Sequence, residues 1–208
     1  MMRPNELRQL IENNDIYKMS LGKSAAYEKE ALERGALLFQ SEVQLHDAVV
    51  SDDPVAIAKA GARVKSDKYT NNNAPSSAWS IWVSNIQTFL GLSADSIVLH
   101  WEADRDQLYW GVVADSKIEM LRYEPSLQGQ NGYFFSRDLR DGWRSTSVND
   151  LLLTDIHPKA RDLAINQATI NQIRTDPDFF RALLLDEPMD EWTSRPEWEE
   201  IAKRKGWH

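Results

Sequence analysis

The sequence predicts an α+β fold: N-terminal helices, a central four-stranded antiparallel meander, and C-terminal helices packed on one face of the sheet. Three observations carry that expectation. Residues 1–90 and 147–206 show helical spacing and helix punctuation, and residues 95–137 switch to period-two alternation. The connections between successive strands are too short for the crossover that a parallel pair requires, so the meander is expected to be antiparallel.

The elements follow in chain order. Asn5 to Asn13 reads as a short opening helix, and Ser24 is placed to cap a longer one running through Tyr27, Ala31, Leu32, Ala36, Phe39 and Val43. Asp53-Pro54 is a further start, with Asp as N-cap and Pro in the first helical position. Lys65 to Ser77, rich in asparagine, reads as an exposed loop, and a helix from about Ser77 to Leu90 ends at Gly91.

Ile97 to Ala103 and Leu108 to Ala114 alternate as strands around a polar turn, Asp104-Arg105-Asp106-Gln107. Asp115-Ser116 is read as a second turn, leading to a strand over Lys117 to Tyr123, and Tyr133 to Ser136 completes the meander. Beyond Ser147, Pro158, Pro177 and Ser194-Arg195-Pro196-Glu197 each mark a helix start. No linker rich in Gly, Ser or Pro divides the 208 residues, and a chain this long buries a core of its own, so a single domain spanning 1–208 is expected.

Composition narrows the function. With no cysteine, disulfide scaffolds, thiolate metal sites and cysteine nucleophiles are excluded. The longest apolar runs fall far short of the roughly 20 residues that cross a bilayer, and the N-terminus lacks a signal-peptide core, so a cytoplasmic protein with no membrane partner is expected. A net charge of −8 opposes a generally basic nucleic-acid coat and leaves only local basic patches. Dinucleotide, P-loop, zincin and hydrolase-elbow motifs are absent from the sequence.

Two constellations carry chemistry. The first is basic and aromatic: Tyr133, Arg137, Arg140, Trp143, Arg144, Lys159 and Arg161. Cations interleaved with rings neutralise phosphates while a ring stacks on a base, with Trp143 or Tyr133 as the stacking residue. Asp138, Asp141, Asp150 and Asp155 leave the stretch a net charge of only +1, five cations against four carboxylates. The plainer reading is a sheet edge whose arginines pair with neighbouring aspartates.

The second is acidic: His100 and Glu102 on one face of a strand, with Asp104 and Asp106 at the adjoining turn and Lys117 near the next. Carboxylates in that pattern can hold a hard divalent cation against a scissile phosphate. The plainer reading is turn chemistry beside a solvent-facing His100 and Glu102. Smaller signals are the Lys65 to Asn73 loop, the His157-Pro158-Lys159 helix start as an anion site, and eight tryptophans that fill a core or wall a pocket.

The first expectation is a protein that binds nucleic acid or a nucleotide phosphate through the basic and aromatic surface, without a cofactor. The alternative is a phosphodiesterase dependent on Mg or Mn, using Glu102, Asp104, Asp106 and His100. A third reading is an adaptor that docks a protein partner on its acidic C-terminal helices, where residues 176–200 hold nine Asp and Glu against Arg181 and Arg195.

Overall fold

A computed structural model describes residues 4–22, 26–41, 51, 53, 55–56, 59–60, 77–102, 107–130, 132–146, 169–174, 177–185 and 187. Helix α1 (Pro4–Asn13) leads into strand β1 (Ile16–Met19), and α2 (Glu28–Arg34) into β2 (Ala36–Gln40). Then come α3 (Ser77–Leu90), β3 (Ile97–Glu102), β4 (Gln107–Val113) and β5 (Glu119–Arg122). The long strand β6 (Tyr133–Thr146), β7 (Ile170–Gln172) and α4 (Pro177–Leu184) follow. No helix among these residues is long and apolar enough to cross a membrane.

The fold is α+β, but its sheet is mixed and seven-stranded rather than a four-stranded meander. The order is β2-β6-β4-β3-β1-β7, with β5 also paired to β6. Strands β1 and β3 run parallel, Ile16 opposite Ile97 and Lys18 opposite Leu99, while the other pairs are antiparallel. The predicted β3–β4 hairpin forms, with Ile97 opposite Val112 and Glu102 opposite Gln107. Strand β5 does not return along β4, because β6 takes that position.

The helices cover both faces, not one. Ile97, Leu99 and Trp101 of β3 join Leu108, Trp110 and Val112 of β4 in a core with Ile11 of α1 and Phe179, Phe180 and Leu183 of α4. Val98 points the other way, into a core with Met19, Ala31 of α2, and Ile86 and Phe89 of α3. Burial on both faces requires apolar residues at consecutive positions, as in Ile97-Val98-Leu99.

The helix expected from Ser24 through Val43 is the largest departure. Gly35 adopts a left-handed conformation at φ 68 and caps α2, donating to the Leu32 carbonyl at 3.2 Å. Ala36, Leu37, Leu38 and Phe39 are then buried in succession, the signature of a strand covered on both sides. Asp53 does cap the backbone, accepting from the Val55 N–H at 2.9 Å. Residues 65–73, Pro158 and the Ser194 start lie outside the described residues.

Candidate functional site

Strand β6 carries the arginines, and a bulge in it decides where they point. Asp141 and Gly142 hold left-handed backbone, at φ 57 and 72. On β4, Val112 faces Arg140 and Trp110 faces Arg144, with the register shifting between them. The bulge therefore absorbs two residues, and Arg140 and Arg144 stand opposite positions only two apart on β4. Opposed residues share a face, so the pair lies side by side, about 7 Å apart at the backbone.

Each guanidinium is already engaged. Arg144 lies over the Trp110 ring, 5.0 Å from its centroid, and its Nη2 donates to Asp141 Oδ2 at 3.2 Å. Its Nη1 has no hydrogen-bond partner. Arg140 forms an ion pair with Asp95, whose own N–H donates to the Val113 carbonyl at 3.0 Å. The Arg140 side chain is 33% exposed and that of Arg144 22%, so both are reachable from solvent.

The other candidates on β6 take different positions. Arg137 is buried, donates from Nη1 to the Leu92 carbonyl, and has its pKa lowered by that burial, with Asp115 opposing the shift. The Trp143 indole N–H donates to the Ala36 carbonyl at 3.0 Å, and its ring meets His100 edge-on at 6.3 Å. Because His100 sits on the face opposite Leu99 and Trp101, Trp143 is turned away from the Arg140–Arg144 pair. Tyr133 starts β6 beneath the Arg122 guanidinium, on the order of 30 Å along the strand from Arg144. Lys159 and Arg161 lie outside the described residues.

The acidic constellation is rearranged by burial. His100 and Glu102 share a face as the alternation predicted, but both are buried instead of facing solvent. The cause is α2, which lays Glu28 across the strand: His100 Nε2 stands 2.7 Å from Glu28 Oε2, and Nδ1 stands 3.1 Å from the Met19 carbonyl. A carbonyl only accepts, so Nδ1 carries a hydrogen, and a second hydrogen bridges Nε2 and the Glu28 carboxyl. With both nitrogens engaged, His100 can ligate a metal only by giving up one of these bonds.

Asp104 and Asp106 lie outside the described residues. Among the described ones, no group of three or more His, Asp or Glu side chains gathers to hold a metal ion.

No family model matches the chain, and no similar curated protein or solved structure was found. Function is read from the site's own geometry. Two residues that the sequence did not single out shape that geometry, Asp95 beside Arg140 and Glu28 beside His100, and a third, Lys18 on β1, is a buried cation elsewhere in the sheet. Lys18 is buried with its Nζ donating to Ser20 Oγ at 2.7 Å, and burial pulls its pKa down to about 8. Nothing in the letters around Asp95 or Glu28 marks a partner, because both contacts join segments distant in sequence.

Proposed function

We propose that the protein binds a phosphate-bearing ligand, a nucleic acid or a nucleotide, through Arg140 and Arg144 on the β4–β6 face. The observation that carries this reading is the bulge at Asp141-Gly142, which sets two partly exposed arginines in adjacent positions on one face. In a regular strand, residues four apart lie about 13 Å from each other, too far for both to engage one phosphate easily. Stacking on Trp110 and the contact with Asp141 hold the plane of the Arg144 guanidinium in one orientation, which suits recognition of an anion by its planar fork. Contacts of this type position a phosphate backbone and carry little sequence preference.

The test is fluorescence anisotropy with labelled single-stranded DNA, double-stranded DNA and RNA at low and moderate salt, with ATP as an unlabelled competitor. Binding weakened about tenfold or more by Arg140→Ala and by Arg144→Ala supports the reading. With at most two phosphate contacts, the slope of log K on log salt should be shallow, no steeper than about −1.4 to −1.8. No binding at low salt, or binding indifferent to both substitutions, overturns it. Cleavage of the strand with Mg or Mn, lost in Glu102→Gln, would replace binding with phosphodiester chemistry as the activity.

A further inference from the structure

Three non-glycine residues hold positive φ among the described residues: Asp95 at 72, Gln128 at 43 and Asp141 at 57. Two of these three are the aspartates that pair with Arg140 and Arg144. Left-handed backbone is unfavourable for a residue with a Cβ and persists where the surroundings impose it. Both carboxylates are thus carried on constrained backbone, Asp141 within the β6 bulge and Asp95 just before β3. Neither aspartate side chain is deeply buried, at 33% and 38% exposed, so both ion pairs border solvent.

We propose that Asp95 and Asp141 are internal placeholders: they occupy the faces of Arg140 and Arg144 that a phosphate would take, and a ligand binds by displacing them. This rests on the phosphate-binding reading of the same two arginines and adds how the site is regulated. An empty pair of adjacent guanidiniums would attract any small anion. With a carboxylate on each, the site is locally neutral, and only a ligand that out-competes a tethered carboxylate opens it. Phosphate does so by offering more acceptor oxygens and more charge than one carboxylate. Exposed ion pairs are weak, so displacement is within reach of an ordinary ligand.

The experiment compares wild-type protein with Asp95→Asn, Asp141→Asn and the double variant. Asparagine keeps the shape and tolerates left-handed backbone, so the fold is expected to survive, and thermal unfolding checks that it does. Glu33→Gln on the exposed face of α2 removes one negative charge that pairs with Lys29 and with neither arginine, and controls for bulk charge. The probes are a labelled single-stranded oligonucleotide, ATP and inorganic phosphate.

Each asparagine is expected to tighten binding about two- to fivefold, the range an exposed ion pair is worth. The salt slope should also steepen by about 0.7–0.9 for each aspartate removed, as an arginine is freed to release counterions. Glu33→Gln should do neither. Tightening for inorganic phosphate and ATP as well as the oligonucleotide assigns the site to a phosphate group, and tightening for the oligonucleotide alone assigns it to a polymer backbone; both support displacement. If wild type binds through Arg140 and Arg144 but the asparagine variants bind equally or more weakly, the aspartates are fixed supports and the displacement proposal is wrong while the binding reading stands. Equal tightening by Glu33→Gln overturns it likewise. If neither wild type nor variants bind any probe, the binding reading itself falls and takes this proposal with it.

Discussion

A Cβ built on Gly35 would lie 3.2 Å from the Gly142 Cα, and both glycines hold left-handed backbone, at φ 68 and 72. The end of α2 therefore sits directly on the β6 bulge, and the Leu139 N–H donates to the Gly35 carbonyl at 3.1 Å beside it. This contact fixes the helix cap and the arginine spacing together.

Alanine at either glycine meets a backbone conformation that disfavours a Cβ by about 1–2 kcal/mol. Gly35→Ala should be the worse of the two, because its Cβ also presses on Gly142, whereas the reverse approach is an ordinary 3.5 Å. Urea denaturation is expected to show about 1 kcal/mol lost in Gly142→Ala and about 2 kcal/mol in Gly35→Ala. Gly142→Ala should also weaken oligonucleotide binding by shifting Arg144 relative to Arg140. Unchanged binding in a folded Gly142→Ala protein would mean that the bulge does not set the site.

The buried contact between His100 and Glu28 ties α2 to β3, and the Met19 carbonyl extends the tie to β1. Removing one partner leaves the other buried and unsatisfied, so His100→Ala should cost about 3 kcal/mol. Glu28→Gln keeps a hydrogen bond, since the amide N–H can donate to a neutral Nε2, and should cost about 1 kcal/mol. Equal losses in the two variants, read from urea midpoints, would show that the charge and not the hydrogen bond holds α2 down.

The elements legible in the sequence are those with several turns of period or firm punctuation. Helix α1 and helix α3 with its Gly91 stop match their expected spans closely, and Pro177 opens α4 as read. Strands β1 and β7 are four and three residues long, too short to show a period, and Lys18 and Asn171 make them look polar. Strand β2 is a short apolar run, which periodicity cannot tell from buried helix. The candidate site was half visible: Arg140 and Arg144 stood out as residue types. Their side-by-side placement did not, because Asp141-Gly142 carries the letters of a hairpin turn and forms a bulge within one strand.

Arg137 belongs to the same stretch yet does a different job, donating to the Leu92 carbonyl from inside the core. Truncating it removes a charge-assisted hydrogen bond and leaves that carbonyl without it. Arg137→Ala should therefore lower stability by about 2–3 kcal/mol while leaving phosphate affinity within twofold, measured well below the unfolding transition. A large loss of affinity in the folded variant would move Arg137 from the core's support into the binding face.

Lys18 makes the stability rise with pH. Its folded pKa, about 8, lies below the ordinary 10.5 because burial penalises the ammonium. Below pH 8 both folded and unfolded chains hold the proton, and the fold carries the full penalty of a buried cation. Between about 8 and 10.5 the folded chain has released it and the unfolded chain has not, so stability rises with pH.

At about 1.4 kcal/mol per unit of pKa, the rise is at most about 3.5 kcal/mol. Above pH 10 the buried Tyr27 and the partly buried Tyr123 act against it: loss of solvent pushes both hydroxyls up, Tyr123 to about 12 with Glu30 adding to the shift, so the unfolded chain loses those protons first and stability falls. The unfolding free energy is thus expected to climb from pH 8 to a maximum near pH 10. Lys18→Met should be the more stable protein at pH 7 and lack the climb, since a methionine fills the space without a charge to desolvate. A wild-type profile flat from pH 8 to 10, or a Lys18→Met variant less stable at pH 7, would mean that the Ser20 hydrogen bond offsets the burial of the ammonium.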